Sequence, residues 1–263
     1  MSERAVTQFE TPTGLLRDKV VIITGASRGI GKAAARTFSA AGATVVLAAR
    51  SGQEIAALAE DITLQGGKAL AVSTDVGDPI SVERLVDATV ERFGRLDAAF
   101  NNAGGGPSPK PLAELSVAEF ESALRVNVMG VFLCMKYEIP AMLASSGGSI
   151  VNMSSTAGLR GVPGIAGYVA SKHAIVGLTK TGALDYAKSN IRVNVVTPGQ
   201  ILTERLQQLD ESRREQVSSW VPMGRLGQPE EVAKAVAWLL SDEASFITGS
   251  TFGIDGGRLA MGA

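Results

Sequence analysis

Short apolar runs rich in β-branched residues recur along the chain, and segments with helical spacing of apolar positions lie between them. The runs occupy residues 20–24, 44–48, 69–72, 96–100, 149–153, 192–196 and 251–255. Helical spacing extends over residues 30–41, 54–64, 80–93, 117–143 and 168–187. Continuous apolar runs are typical of strands covered on both faces, and their alternation with helices favours parallel strands joined by right-handed crossovers. We therefore predict an α/β fold with a doubly wound, parallel sheet of about seven strands and helices on both faces.

The pattern indicates a single domain over residues 17–263. No linker of biased composition and no repeat of fixed period divides the chain. Residues 1–16 precede the first strand and are predicted to be a polar extension, either loose or packed on a neighbouring subunit. The polar, charged segment 200–227 interrupts the alternation, and we predict that it covers a substrate site.

Composition narrows the class of partner. The 263 residues are 45% hydrophobic and carry a formal net charge of −1. Without an excess of Lys or Arg, we expect neither nucleic acid nor a membrane as partner, and a small molecule is favoured. The only cysteine, Cys134, excludes an internal disulfide and lies in an apolar run, where an inert buried thiol is expected. With no signal-like start, we expect a cytoplasmic location, and no metal-ligand cluster is predicted.

A glycine-rich turn follows the first strand directly, at residues 24–31. Its glycines are spaced G-x-x-x-G-x-G, and a helical segment begins at its end. Glycine lets the backbone turn tightly and lets a phosphate approach the free N–H groups of a helix start. The position predicts a nucleotide site, although an ordinary glycine-rich turn is the alternative.

The residues at the end of the second strand can distinguish two candidate nucleotides, NAD and NADP. A carboxylate there would accept hydrogen bonds from the ribose of NAD, whereas arginine would pair with the 2′-phosphate of NADP. Ala49 stands where an acid is expected, Arg50 follows it, and Arg28 lies in the glycine turn. The two cations favour NADP(H) over NAD(H), unless both are merely solvated surface charges.

Tyr168 and Lys172 lie four residues apart at the start of a helical segment, so both face one side. A nearby ammonium favours the phenolate and is expected to lower the pKa of Tyr168. Ser154 and Ser155 end the fifth strand, at the edge of the sheet where ligands bind. Such a Tyr and Lys pair alone is weak evidence for function. The adjacent His173 is expected to be structural or on the surface.

Together these motifs resemble the short-chain dehydrogenase/reductase family from about Leu16 to Gly257, in particular its 3-oxoacyl-reductase-like and secondary alcohol dehydrogenase-like members. The glycine turn is similar to the family's cofactor turn, Asn101-Asn-Ala-Gly104 to its motif after the fourth strand, and Tyr168-x-x-x-Lys172 to its catalytic pair. The resemblance implies a Rossmann-like domain that binds NAD(P)(H) and transfers a hydride between nicotinamide and a ketone or secondary alcohol carbon.

The resemblance also implies individual site residues. Ser155, thirteen residues before Tyr168, has the spacing of the family's catalytic serine and is preferred to Ser154. The expected catalytic residues are Asn127, Ser155, Tyr168 and Lys172. The expected cofactor-binding residues are Gly25, Ser27, Arg28, Gly29, Ile30, Gly31, Arg50, Asp75, Val76, Asn102, Ala103, Gly104, Tyr168, Lys172, Pro198, Gly199, Ile201 and Thr203.

Each expected catalytic group has an implied role. Tyr168 would exchange a proton with the substrate oxygen, Ser155 would hydrogen-bond that oxygen, and Lys172 would hold the nicotinamide ribose and lower the pKa of Tyr168. Asn127 would position a water that relays protons. By analogy with the family, a homotetramer or homodimer would form by pairing of helices at 117–143 and 168–187, with the last strand at a second interface.

Alternatives remain at this point. A redox sensor that binds NADP(H) without turnover would have the same fold. An NAD-dependent secondary alcohol or sugar dehydrogenase would have the same fold and hydride chemistry. The sequence lacks the motifs of a hydrolase or isomerase. Acyl-carrier, cyclic, steroid-like and sugar substrates stay open, and a neutral or mildly apolar ketone or alcohol is the favoured guess. In the segments expected to line the pocket, Arg160 is the only residue that could bind an anion. Substrate contacts are predicted at Gly105, Ser155, Ala157 and Gln200.

Overall fold

The β-branched runs form one parallel sheet. A computed structural model of the protein describes residues 14–106 and 109–261. The strands in this part of the chain pair in the order β3-β2-β1-β4-β5-β6-β7, all parallel. This seven-stranded sheet confirms the predicted fold class. In chain order the strands are β1 Val20–Thr24, β2 Thr44–Ala49, β3 Lys68–Ser73, β4 Ala98–Asn101, β5 Gly148–Met153, β6 Ile191–Pro198 and β7 Thr251–Ile254.

Helices cover both faces of the sheet, as predicted. One helix expected over 117–143 is interrupted, because a π-helical turn at Arg125–Met129 separates two α-helices. An extra residue in such a turn is compatible with apolar helical spacing on either side, so the pattern did not reveal it. The helices are α1 Gly29–Ala40, α2 Gly52–Leu64, α3 Pro79–Phe93, α4 Val117–Leu124, α5 Gly130–Ala144, α6 Ala166–Tyr186, α7 Glu204–Gln207, α8 Glu211–Ser219 and α9 Pro229–Leu240.

Alternate strand residues enter two core layers. In β1, Val21 and Ile23 pack with side chains of α1, α2 and α9. Their neighbours Val20 and Ile22 pack on the other face with α3, α5 and α6. All of these strand side chains are at most 5% exposed, and burying each contributes about 1.5–3 kcal/mol to stability. The two apolar layers explain why the strands read as continuous apolar runs.

The order of the strands reverses between β1 and β4. The chain first moves outward from β1 to β2 and β3, then returns to place β4 on the other side of β1. Helices leaving opposite sides of such a point open a crevice at the carboxyl ends of the strands, which is where open α/β sheets bind ligands. The glycine turn leaves β1 at this edge.

Two further segments bear on the sequence predictions. Residues 117–144 are helical and apolar enough, by length and composition, to cross a membrane, but half of the apolar window is buried inside the protein. Most of the predicted extension 1–16 lies outside the described residues. Its last residue, Leu16, is fully buried in the core layer formed by α1 and α9, so the fold begins at or before this residue.

Candidate active site

The turn after β1 is packed too closely for side chains at its glycines. Gly25 and Gly29 have φ angles of +67° and +54°, in the left-handed region that favours glycine. A Cβ atom on Gly31 would lie 2.1 Å from the carbonyl oxygen of Gly25. The first turn of α1 therefore approaches the end of β1 directly, and its backbone N–H groups face the crevice.

The motif after β4 holds this turn in place. The Asn102 side-chain amide donates to the carbonyl oxygens of Thr24 (2.9 Å) and Gly25 (3.2 Å). The backbone N–H of Ala103 donates to the Thr24 hydroxyl at 3.0 Å. These bonds tie the carboxyl ends of β1 and β4 together and satisfy turn carbonyls that would otherwise face the crevice.

A wide cleft of about 750 Å³ opens over the turn. Arg28 and Arg50 line it, together with Ala49 at the end of β2, in the arrangement that the sequence predicted. The other predicted cofactor residues that line it are Gly25, Ser27, Gly29, Ile30, Asp75, Val76, Asn102, Ala103, Gly104 and Thr203.

Asp75 and Val76 are fixed where β3 leads into α3. The Asp75 carboxylate accepts a hydrogen bond from the N–H of Gly77 at 2.9 Å and lies 3.7 Å from the Arg125 guanidinium. Val76 is buried against Leu133 and Cys134. The thiol of Cys134 is itself buried, and burial raises its pKa, which agrees with the inert role predicted for it.

A side chain of the polar segment 200–227 contacts the start of α1. Glu204, the first residue of α7, accepts a hydrogen bond from the backbone N–H of Gly29 at 3.1 Å. Thr203 packs on the same glycine, since its methyl would lie 3.2 Å from a Cβ there. A carboxylate at a helix N-terminus interacts favourably with the helix dipole. Glu204 thus uses an N–H group that an anionic ligand of this turn would need.

A second group of residues meets at the ends of β5 and β6. The Ser154 hydroxyl donates to the backbone carbonyl of Lys172 at 2.8 Å and is buried, so this serine supports α6. Ser155 begins the next turn, where its hydroxyl accepts from the N–H of Ala157, and it also lies at the phenol of Tyr168. The two serines thus have different partners: Ser154 bonds to the backbone of α6, whereas Ser155 lies at the phenol of Tyr168.

Lys172 is almost completely buried under Tyr168. Its ammonium donates to the carbonyl oxygen of Met153 at 2.9 Å and lies 5.5 Å from the centre of the Tyr168 ring. Burial lowers the pKa of Lys172 to about 8. The side chain is therefore held on the sheet edge, with its ammonium 3.4 Å from the position of a Cβ on Gly104.

The pKa of Tyr168 differs from the expectation. Burial raises the pKa of this phenol, while the hydrogen bond with Ser155 and the positive charge of Arg205 act in the opposite direction. The predicted lowering by Lys172 is not found in the protein alone, because desolvation outweighs the favourable interactions. The phenol therefore keeps its proton at neutral pH.

Asn127 owes its position to the π-helical turn. The side chain is 1% exposed, and its amide donates to the carbonyl oxygens of Ala123 (2.9 Å) and Gly105 (3.1 Å). Its oxygen accepts from the N–H of Gly105 at 3.3 Å. Asn127 thus anchors the loop after β4 in the described structure, and its predicted role in positioning a water stays a prediction.

A smaller cleft, of about 370 Å³, is lined by three of the predicted catalytic residues, Ser155, Tyr168 and Lys172, and by the end of β6, whereas Asn127 does not line it. Ala157, predicted to contact substrate, is only 4% exposed and does not line this cleft. Arg160 is also absent from its lining. Among the predicted residues, the lining includes Ile30, Asn102, Gly104, Gly105, Ser155, Tyr168, Lys172, Pro198, Gly199, Gln200, Ile201 and Thr203.

Sequence reasoning did not single out Arg205, which lines both clefts. It lies in the segment predicted to cover the site, and nothing in the local pattern distinguished it from the other arginines there. His173, by contrast, is exposed, with a ring nitrogen 2.9 Å from the carbonyl oxygen of Val169, as a surface role requires.

The residues present fit a dinucleotide cofactor. Close packing of the turn on the start of α1 leaves no room for a Cβ at Gly31, and cationic side chains flank the wide cleft. The wide cleft, lined by Arg50, and the smaller cleft, lined by Tyr168, adjoin, because Asn102 and Gly104 line both. A parallel sheet, a glycine turn and a Tyr and Lys pair at one edge define a nucleotide-dependent oxidoreductase.

Comparison with known proteins identifies the family. A family model described as enoyl-(acyl carrier protein) reductase matches residues 25–258. A γ-butyrolactone 1′-reductase of the A-factor type from Streptomyces virginiae is 45% identical over 93% of this chain and 96% of its own. Cyclohexanol dehydrogenase from Acinetobacter sp. (strain SE19) is 44% identical over 91% and 94%. The crystal structure of levodione reductase matches with a TM-score of 0.88 and 37% identity, covering 94% of this chain and all of that one.

The chain therefore belongs to the short-chain dehydrogenase/reductase family, as its motifs indicated. It is an oxidoreductase of the class that uses a nicotinamide cofactor to interconvert alcohol and ketone groups.

Proposed function

We propose that the protein is an NADP(H)-dependent reductase and dehydrogenase of ketones and secondary alcohols, with Tyr168 as the proton carrier. The observation that carries this proposal is the meeting of Ser155, Tyr168 and Lys172 in a cleft continuous with the glycine turn. The names of the relatives, which include a cyclohexanol dehydrogenase and a γ-butyrolactone reductase, support the substrate class.

The proposed chemistry assigns each side chain one task. NADPH, held over the glycine turn by residues such as Gly29 and Ile30, would supply the hydride that the carbonyl carbon accepts in reduction. Tyr168 donates its phenolic proton to the carbonyl oxygen, and Ser155 hydrogen-bonds that oxygen as negative charge develops. Lys172 lies buried beside both groups, where its charge favours the phenolate that remains. Alcohol oxidation reverses the transfers, with Tyr168 accepting the proton.

The raised pKa of Tyr168 gives the proposal a direction. A phenol that keeps its proton at neutral pH is in the form required for reduction. Oxidation needs the phenolate, so its rate rises with pH until the phenol is titrated. We therefore infer that the enzyme is in its reducing form at neutral pH and that the pH optimum of oxidation lies above that of reduction.

Preference for NADP(H) rests on the charges at the adenine end of the wide cleft. Arg28 and Arg50 line that end, and Ala49 leaves the end of β2 without a carboxylate. Arginine is suited to bind a 2′-phosphate through paired hydrogen bonds. NADPH then gives at least a tenfold higher kcat/KM than NADH, and Arg50→Ala reduces this ratio with little effect on NADH.

A panel of ketones and secondary alcohols, assayed with both cofactors at the NAD(P)H absorbance band, tests the proposal. Consumption of NADPH with a ketone supports it. Binding of NADPH without turnover of any substrate would instead identify a redox sensor, and a clear preference for NADH would refute the assignment of the cofactor.

The proposal also covers the oligomeric state and the cellular location. We infer a homotetramer or homodimer, because Met129, Phe132 and Leu184 are large apolar residues left exposed on the helices expected to pair, and Phe246 is fully exposed before β7. Light scattering of the purified protein tests the oligomeric state.

We also propose a cytoplasmic location, with which the lone, buried Cys134 is in keeping.

A further inference from the structure

Arg205 carries an unpaired positive charge at the mouth of the smaller cleft. Its side chain is exposed, and it forms no ion pair with any residue in the described part of the chain. Its neighbour Glu204 is directed instead to the N–H of Gly29. A free guanidinium beside a reaction site is available to a ligand.

The smaller cleft is positively charged. Among the described residues that line it, the charged ones are Lys172 and Arg205, and no carboxylate is present. The Lys172 ammonium is almost fully buried and already donates to the carbonyl oxygen of Met153. Arg205 is therefore the charge in this lining that an incoming substrate can contact, and it favours ligands of opposite sign.

Arg205 lies close to the proton carrier. A methyl group on Gly106 would be 3.6 Å from a terminal nitrogen of the Arg205 guanidinium and 3.7 Å from the Tyr168 ring. The Arg205 charge acts on the Tyr168 phenol in the direction that lowers its pKa. A substrate whose carbonyl oxygen meets the Tyr168 hydroxyl thus has room over Gly106 to bring another group to the guanidinium.

We propose that Arg205 selects ketone or secondary alcohol substrates that carry a carboxylate, which it binds while the reacting oxygen contacts Tyr168. This inference rests on the proposed function and narrows its substrate class. The planar guanidinium matches a carboxylate with two parallel hydrogen bonds. A substrate that carries a carboxylate thus takes the place of the neutral substrate that the sequence favoured. Arg205 does not take part in the hydride or proton transfer itself.

The test compares one ketone with and without its charge. Reduction of 4-oxocyclohexanecarboxylate and of its methyl ester is measured with NADPH for the wild type, Arg205→Gln and Arg205→Lys. We expect wild type to prefer the acid, and Arg205→Gln to lower kcat/KM for the acid about tenfold, mainly through KM, while the ester changes less than about twofold. Arg205→Lys retains part of the preference, because the charge remains without its planar geometry.

The matched control is Arg214→Gln, which removes a partly exposed charge from α8, in the same segment 200–227, without touching either cleft. It leaves the preference for the acid unchanged. Fluorescence titration with NADPH completes the set, and Arg205→Gln binds the cofactor as tightly as wild type.

Three results would overturn the inference. Equal losses for acid and ester, weaker NADPH binding by Arg205→Gln, or an absence of preference for the acid in wild type would each assign Arg205 another role. If no ketone in the panel is reduced, the proposed function fails. The inference is then decided by calorimetric titration of the acid into the NADPH complex, where binding lost in Arg205→Gln supports it and equal binding refutes it.

Discussion

The two clefts at the carboxyl edge of the sheet are built by different means. The wide cleft depends on backbone groups: a glycine turn, the start of α1, and carbonyl oxygens held by Asn102. The smaller cleft depends on side chains from separate elements, of which Lys172 is held by burial. A backbone surface can hold a common nucleotide, whereas side chains set the reaction and its substrate. The two regions should therefore respond differently to substitution.

The largest expected effect lies in the smaller cleft. Tyr168→Phe removes the proton carrier, and kcat/KM for ketone reduction should fall at least about a thousandfold. NADPH affinity should stay within about threefold, because the glycine turn is untouched. Steady-state kinetics and fluorescence titration measure the two quantities, and Tyr186→Phe on the same helix is the control. Retained turnover would remove Tyr168 from the mechanism.

A substitution in the glycine turn under the wide cleft should instead affect cofactor binding. Gly31→Ala should weaken NADPH binding at least about a hundredfold, since its methyl would meet the Gly25 carbonyl oxygen at 2.1 Å and displace the turn. Gly177→Ala, in α6 with nothing within 4 Å of the new methyl, is the matched control. Calorimetric titration together with thermal unfolding separates loss of the site from loss of the fold. Unchanged NADPH affinity would contradict the backbone account of this cleft.

A buried polar cluster joins the two regions from below. Asn101, which precedes Asn102, donates to the Glu138 carboxylate at 3.0 Å and to the Asn152 oxygen at 3.1 Å. Asn152 precedes Met153, whose carbonyl oxygen binds Lys172. Burial raises the pKa of Glu138 to about 7.

Glu138→Gln should therefore change how stability depends on pH. Between a pKa of 4.5 when unfolded and about 7 when folded, the folded state binds more protons, so stability falls as pH rises through this window. Relative to the Gln variant, wild type should lose on the order of 3 kcal/mol of unfolding free energy between pH 4.5 and 7.5. Urea unfolding across this range measures the difference, with Glu83→Gln on the surface of α3 as control. Parallel pH profiles of wild type and Glu138→Gln would refute it.

The smallest effect concerns the contact between α7 and the glycine turn. Glu204→Gln removes a negative charge from the N-terminus of α1, so NADPH should bind about threefold more tightly. The gain should shrink at high salt, because screening weakens the charge. Glu211→Gln in α8 is the control. Unchanged or weaker NADPH binding in Glu204→Gln would show that this carboxylate does not compete with the cofactor.

The features that could be predicted from the sequence divide in the same way, into backbone features and side-chain environments. The apolar runs predicted all seven strands of the described sheet to within a few residues, because each strand is covered on both faces. The glycine turn was predicted for a similar reason, since close backbone approach requires glycine. The interruption at Arg125–Met129 was missed, because the apolar spacing continues on both sides of the π-helical turn.

Side-chain environments were harder to predict. The spacing of Tyr168 and Lys172 predicted their common face, but not that burial would raise the pKa of the phenol. Arg205 comes from a segment far along the chain, and only the fold brings it to Tyr168. Ala157 is close to Ser155 in sequence, yet it is buried and does not line the smaller cleft.

The most direct test of the central claim follows the hydride itself. NADPH carrying deuterium at the transferable C4 position is incubated with the protein and a ketone, and the alcohol is analysed by mass spectrometry. The account predicts one deuterium in each alcohol molecule and one NADPH consumed, with product formation abolished in Tyr168→Phe. Alcohol without deuterium, or labelled alcohol formed equally well by Tyr168→Phe, would contradict it.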